Sequence, residues 1–155
     1  MSAELEQLNR FIAAWREPLE SQADVLFEAR MLEAPLGTHT ELADGFVASL
    51  GLSPIGVNWE MLDDAADSDE PRSALAAFCD ALSNNMVFSS TEWLGERQAA
   101  QCYGDFIGSF KQSRRTILTN RLDMGWNPIS TATFEWAFIG FDDRKIALLL
   151  LMAED

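Results

Sequence analysis

The sequence is poor in the side chains that most often carry chemistry: one His, two Cys and one Tyr in 155 residues. Cys79 and Cys102 are too few and too far apart along the chain for a disulfide framework, and neither lies in a C-x-x-C pair. With a single imidazole they cannot complete a tetrahedral Cys/His zinc site. Two packed, reduced thiols are expected, which suits a cytoplasmic protein. A reactive thiolate needs a neighbouring positive charge or a helix N-terminus, whereas Cys79 is followed by Asp80 and Cys102 falls inside a helical pattern. His39 stands alone, with no H-E-x-x-H and no nucleophile signature around it. There is no Walker A motif, no G-x-G-x-x-G after a strand and no G-x-S-x-G. No catalytic constellation, metal site or cofactor is therefore expected.

Long apolar runs are missing too. The longest, Ile146 to Ala153, falls far short of the roughly 20 residues that a membrane helix needs. The opening Met1-Ser2-Ala3-Glu4 lacks the basic-then-apolar order of a signal peptide.

Positive charge is the third scarcity: 11 Lys and Arg face 25 Asp and Glu, a net charge of −14. Binding to nucleic acid, where cations must replace counterions along the phosphates, is disfavoured, as is adhesion to an anionic membrane. A basic protein partner is favoured, because opposite fields raise the encounter rate. The imbalance is concentrated early, with 3 basic and 15 acidic residues in 1–70 against 8 and 10 in 71–155. Solubility, genome composition or a salty habitat would produce the same bias.

Apolar content, by contrast, is ample. At 48% hydrophobic, with ten Phe and five Trp, a chain of this length is expected to form one domain over 1–155. Leu5, Leu8, Phe11, Ile12 and Trp15 have helical spacing, and Pro18 fits the first turn of a second helix running to about Leu32. Thr38 and Glu41 match a capping box ahead of Leu42, Phe46, Val47 and Leu50, with Gly51 at the C-terminal cap. Pro71 reopens a helix with Leu75, Phe78 and Leu82 on one face. Met86-Val87-Phe88 fits a short strand, and Ser89 with Glu92 forms a second possible capping box. Tyr103, Phe106, Ile107 and Phe110 continue a helical face to about Gln112.

The last forty residues switch period. Ala132, Phe134, Trp136 and Phe138 alternate with Thr131, Thr133 and Glu135, the period of a half-buried strand. Asp142-Asp143 would turn it into a strand from Lys145 to Met152, setting Trp136 against Leu149 and Glu135 against Leu150. That last strand is apolar on both faces, as for a strand covered on both sides or lying mid-sheet. The expected fold is α+β: a helical N-terminal half packed on a C-terminal antiparallel sheet of three to four strands.

Function is read from composition. The run Asp63-Asp64-Ala65-Ala66-Asp67-Ser68-Asp69-Glu70 fails as a calcium loop, having no glycine at the sharp turn and no glutamate at the twelfth position. It fits either a solvated loop or a recognition patch facing a basic cleft. Trp59 and Met61 precede it, and aromatics anchor interfaces that acids steer. Lys111, Arg114, Arg115 and Arg121 form the one basic cluster, suited to gripping an anion or to pairing with the acidic half. Glu135 would normally mark the solvent side of its strand; enclosed, it would become an acid–base candidate.

The leading expectation is a small acidic protein-binding domain: a cytoplasmic inhibitor of the bacterial immunity-protein type. It would neutralise a basic toxin or nuclease by steering and cleft blocking, through Trp59, Asp63, Asp64, Asp67, Asp69 and Glu70. A secretion chaperone presenting an apolar groove is the alternative. An enzyme using Glu135 or Asp63 with a divalent ion is the third. Monomer and homodimer both stay open.

Overall fold

The computed structural model describes residues 3–33, 37–64, 72–122 and 125–154. Four α-helices, α1 (Glu6–Glu20), α2 (His39–Ser49), α3 (Ala74–Ser83) and α4 (Gly95–Ile107), accompany seven strands. The strands are β1 (Asp24–Met31), β2 (Glu60–Leu62), β3 (Thr116–Thr119), β4 (Arg121–Leu122), β5 (Gly125–Trp126), β6 (Phe134–Phe141) and β7 (Lys145–Ala153). Five of them form one antiparallel sheet in the order β1-β7-β6-β3-β2, while β4 and β5 make a separate small hairpin. The class is α+β, with one strand more in the sheet than expected.

Two of its strands are unexpected: β2, where a short docked turn was expected, and β1, in place of the expected second helix. Helix α1 runs through Pro18 to Glu20, and the Pro18 carbonyl, one of those a helix C-terminus leaves without an intrahelical partner, accepts from Ser21 Oγ and from the Trp93 indole. The chain then pairs Asp24–Met31 with β7 from Asp24↔Met152 to Met31↔Lys145. Pairing with β7 overrode the helical spacing of Leu19, Ala23, Leu26 and Phe27, because β1 borders the core on both of its faces.

The sheet is filled from both sides. One core places α1, α3 and α4 over Trp136, Phe138, Ala147, Leu149 and Leu151. Phe78 is its hub, with ring centroids 4.8 Å from Phe138, 5.5 Å from Tyr103 and 5.9 Å from Phe106. The other core sets Ala43, Phe46 and Val47 of α2, with Trp59 and Ile129, against Leu118, Ala137, Ile139, Leu148 and Leu150. Strand β7 is accordingly buried on both faces, as its unbroken apolar run requires. The capping box at α2 is present, with Thr38 Oγ1 accepting from the Glu41 N–H and the Glu41 carboxylate accepting from the Thr38 N–H.

Three smaller expectations differ. Met86–Phe88 forms bends rather than a strand, with the Asn85 side chain accepting from the Val87 and Phe88 N–H groups. Ser89 and Glu92 do not start a helix: Glu92 bridges to Asn84, and α4 begins at Gly95 and stops at Ile107, short of Gln112. The β6–β7 hairpin turns on Asp143-Arg144, with the Asp142 N–H on the Lys145 carbonyl. Trp136 therefore faces Leu151 and Glu135 faces Met152. That shift of two preserves the faces, since side chains alternate with period two.

Candidate functional site

Glu135 is fully buried, against the expectation that it marks a solvent face. Residues 127–132 fold over it, and both carboxylate oxygens are occupied. Oε2 accepts from Asn120 Nδ2 (2.8 Å) and the Ile129 N–H (2.9 Å). Oε1 accepts from the Ser130 N–H (2.9 Å) and Ser130 Oγ (2.6 Å). Asn120, also fully buried, completes the cluster by donating to the Asn127 carbonyl and accepting from the Ala137 N–H. Four donors on one carboxylate make a staple that holds the covering loop to the sheet.

The residues expected to bind a partner are scattered. Trp59 is 3% exposed; its ring lies in the α2-side core and its indole N–H donates to Asp44, which also accepts from the Ile55 and Gly56 N–H groups. A ring so placed packs rather than projects. Asp63 forms a bridge with Ser73, its N–H on the Arg72 carbonyl and its carbonyl accepting from the Ala74 N–H. Asp64 is ion-paired with Arg115. Asp67, Asp69 and Glu70 lie outside the described residues. In the basic cluster, Arg115 and Arg121 pair with acids of the chain's own making, Asp64 and Asp80. His39 opens α2 on one side of the sheet, whereas Cys79 and Cys102 sit on α3 and α4 on the other. A Cys–His pair is thereby excluded. Burial pushes both thiols up, with Glu96 adding to the effect at Cys79 and Asp105 at Cys102, so neither is an activated nucleophile.

An open groove of about 1130 Å³ lies between α3 and the start of α4 on one side and β2, β3 and β4 on the other. Its floor is set by Arg121. The guanidinium donates to the Ala77 carbonyl (2.7 Å) and to Asp80 (2.8 Å), and lies 4.3 Å over the Trp136 ring. That fork clamps α3 to the sheet. At the rim, Arg72 reaches Glu60 (3.1 Å) and the Met61 carbonyl (2.9 Å). Both cations of the groove are thus spent on the chain itself.

Its other carboxylates are not. Glu92 and Glu96 line the groove, and neither is ion-paired among the described residues. Glu92 is positioned by its bridge to Asn84 and by the Trp93 and Leu94 N–H groups on the Ser83 and Leu82 carbonyls. Its carboxylate lies over Gly95, where a Cβ would meet Oε2 at 3.2 Å and where φ is +77°. Glycine suits both demands. The N-terminal turn of α4, carrying Glu96, also favours negative charge. Leu62, Leu75 and Leu122 supply apolar lining, and Leu122 is 51% exposed.

Sequence reasoning missed this groove because its parts come from five separate elements. Glu92 stood out only as a capping residue and Arg121 only as a member of a basic cluster. No helix among the described residues is long and apolar enough to cross a membrane, and no group of three or more His, Cys, Asp or Glu among them is placed to hold a metal ion. No family model, no curated protein and no solved structure matches the chain.

Proposed function

We propose that this chain is a protein-binding domain that captures a basic partner, acting as a cytoplasmic inhibitor of the immunity-protein type. The observation that carries it is the groove in which Glu92 and Glu96 have no cation of their own while Arg72 and Arg121 are already neutralised. A partner arginine or lysine entering there would meet two uncommitted carboxylates beside apolar surface from Leu62, Leu75 and Leu122. The net charge of −14 would steer the encounter, and steered association reaches rates of about 10⁸ M⁻¹s⁻¹ at low salt. Steering then belongs to the acidic charge of the chain as a whole, and anchoring to the groove.

The test is capture by the immobilised chain from cell lysate, run beside a Glu92→Gln/Glu96→Gln variant and eluted with salt. A basic protein retained by the wild type, lost by the variant and released at moderate salt supports the proposal, most directly if its own activity falls on adding the chain. Equal retention by both proteins overturns it. The exposure of Leu122 favours one second reading, a secretion chaperone gripping an extended apolar segment. Retention that survives high salt is its signature.

A further inference from the structure

We propose that the free edge of β1 is the seam of a homodimer, in which two copies join their sheets through antiparallel β1–β1 pairing with Phe27 on the two-fold axis. This seam lies at the opposite edge of the sheet from β2 and is independent of the groove.

Among the described residues the only strand beside β1 is β7. Which of its backbone groups face outward follows from one hydrogen bond. The Leu32 N–H donates to the Arg144 carbonyl at 2.8 Å, continuing the β1–β7 register by one residue. Hydrogen-bonded and non-hydrogen-bonded pairs alternate along an antiparallel ladder. Arg30, Glu28, Leu26 and Asp24 therefore direct their N–H and C=O at β7, and Val25, Phe27 and Ala29 direct theirs at the open edge. The strand has no proline, lysine or bulge to block its edge, and the charges it carries, Asp24, Glu28 and Arg30, are of both signs. The side chains of Val25, Leu26 and Phe27 are only half-buried.

Charge selects both the occupant and the register. Outward-facing residues must oppose outward-facing residues, which leaves few alignments of β1 with itself. With Phe27 opposite Phe27, Val25 pairs with Ala29, and Asp24 of each copy lies directly across from Arg30 of the other, on the α2 side of the sheet. The Arg30 guanidinium already lies on that side, 4.9 Å from the Phe46 ring and bonded to Ser49 Oγ, with further N–H groups to give. Sliding two residues one way sets Glu28 against Glu28. Sliding the other way sets Asp24 against Glu28, twice. Like charges directly opposite are destabilising, and opposite ones stabilise the pair. A longer slide that opposes Glu28 and Arg30 leaves Asp24 and Val25 outside the ladder. The strand is complementary to itself in one full-length register.

Light scattering from a size-exclusion column, from micromolar to millimolar concentration, reads the dimer against the 17.3 kDa monomer. Two substitutions that change the charge equally separate pairing from general repulsion. Asp24→Lys loses the contact twice and replaces it with repulsion, so the dissociation constant should rise about tenfold. Glu28→Lys, opposite Leu26 in this register, should leave it unchanged or lower it. Amide exchange at Val25, Phe27 and Ala29 should slow as concentration rises. A monomer throughout, an equal loss from both substitutions, or exchange at those amides that ignores concentration overturns the proposal.

Discussion

Replacing Glu135 tests whether a buried carboxylate can serve structure alone. Its four donors come from Asn120, Ile129 and Ser130, which with Glu135 itself join β6 to the loop that covers it. In Glu135→Ala the Ile129 N–H, on a residue 1% exposed, has no replacement acceptor and no route to water. Asn120 keeps the Asn127 carbonyl, and Ser130 turns toward solvent. Two buried N–H groups left unsatisfied, that of Ile129 and the second of the Asn120 amide, plus the loss of hydrogen bonds to a charged group, cost about 3–5 kcal/mol. That is a large part of a stability of about 5–15 kcal/mol and lowers the melting temperature by about 10 °C. Glu135→Gln is gentler. Its oxygen serves Asn120 and Ile129 while its NH₂ meets Ser130, whose hydroxyl rotates to accept and whose N–H alone loses its partner, for about 1–2 kcal/mol. Urea denaturation reads both, with the midpoint shifting and the slope unchanged. If alanine costs less than about 1 kcal/mol, or glutamine costs as much as alanine, the staple is not what holds the loop.

Asp142 offers a pH test. Burial alone would raise its carboxyl, but the N–H groups of Lys111, Arg144 and Lys145 and the Lys145 ammonium outweigh burial and leave its pKa lowered. Such a group stabilises the fold above its unfolded pKa, and that stabilisation is lost as pH falls through the folded value. Asp142→Asn should cost about 2–3 kcal/mol at neutral pH, and denaturation across acid pH should show the gap to wild type closing below about pH 4. Gly140 of β6 lies under the Phe110 ring, where a Cβ would come within 2.5 Å of Cε2 and 3.2 Å of Ile117 Cδ1. Gly140→Ala should therefore destabilise by about 1–3 kcal/mol through overpacking, measured by calorimetry, whereas an unchanged melting temperature would show that Phe110 can move aside.

The parts of this fold legible in the sequence were those whose signals are local. Thr38 and Glu41 announce α2 because a capping box is complete within four residues. The β6–β7 hairpin shows as an alternating strand followed by an unbroken apolar one, and its turn was misplaced by a single residue because Asp142, Asp143 and Arg144 all suit a turn. Strand β1 was lost because Leu26 breaks the alternation of Asp24, Glu28 and Arg30 with Val25, Phe27 and Ala29, and Leu19, Ala23, Leu26 and Phe27 satisfy helical spacing by accident. Glu135 alternated correctly; what hid its burial was the loop 127–132, whose path no periodicity describes. Trp59 went astray for a similar reason, since an indole beside an acidic run looks like an anchor until its N–H is found on Asp44, fifteen residues earlier. The groove was out of reach, because Arg121, Glu92 and Leu62 meet only after the sheet has formed.

The order of the sheet also bears on how the protein is made. Among the described residues β1 pairs only with β7, so the earliest strand of this sheet waits for the latest. Until then α1, α3 and α4 have no Trp136, Phe138 or Leu149 to cover, and their apolar faces are held by nothing but one another. Loop closure over so long a stretch is slow. The sheet therefore cannot close until β7 has been made, and a chain interrupted before that point offers chaperones and proteases a set of helices with no sheet beneath them.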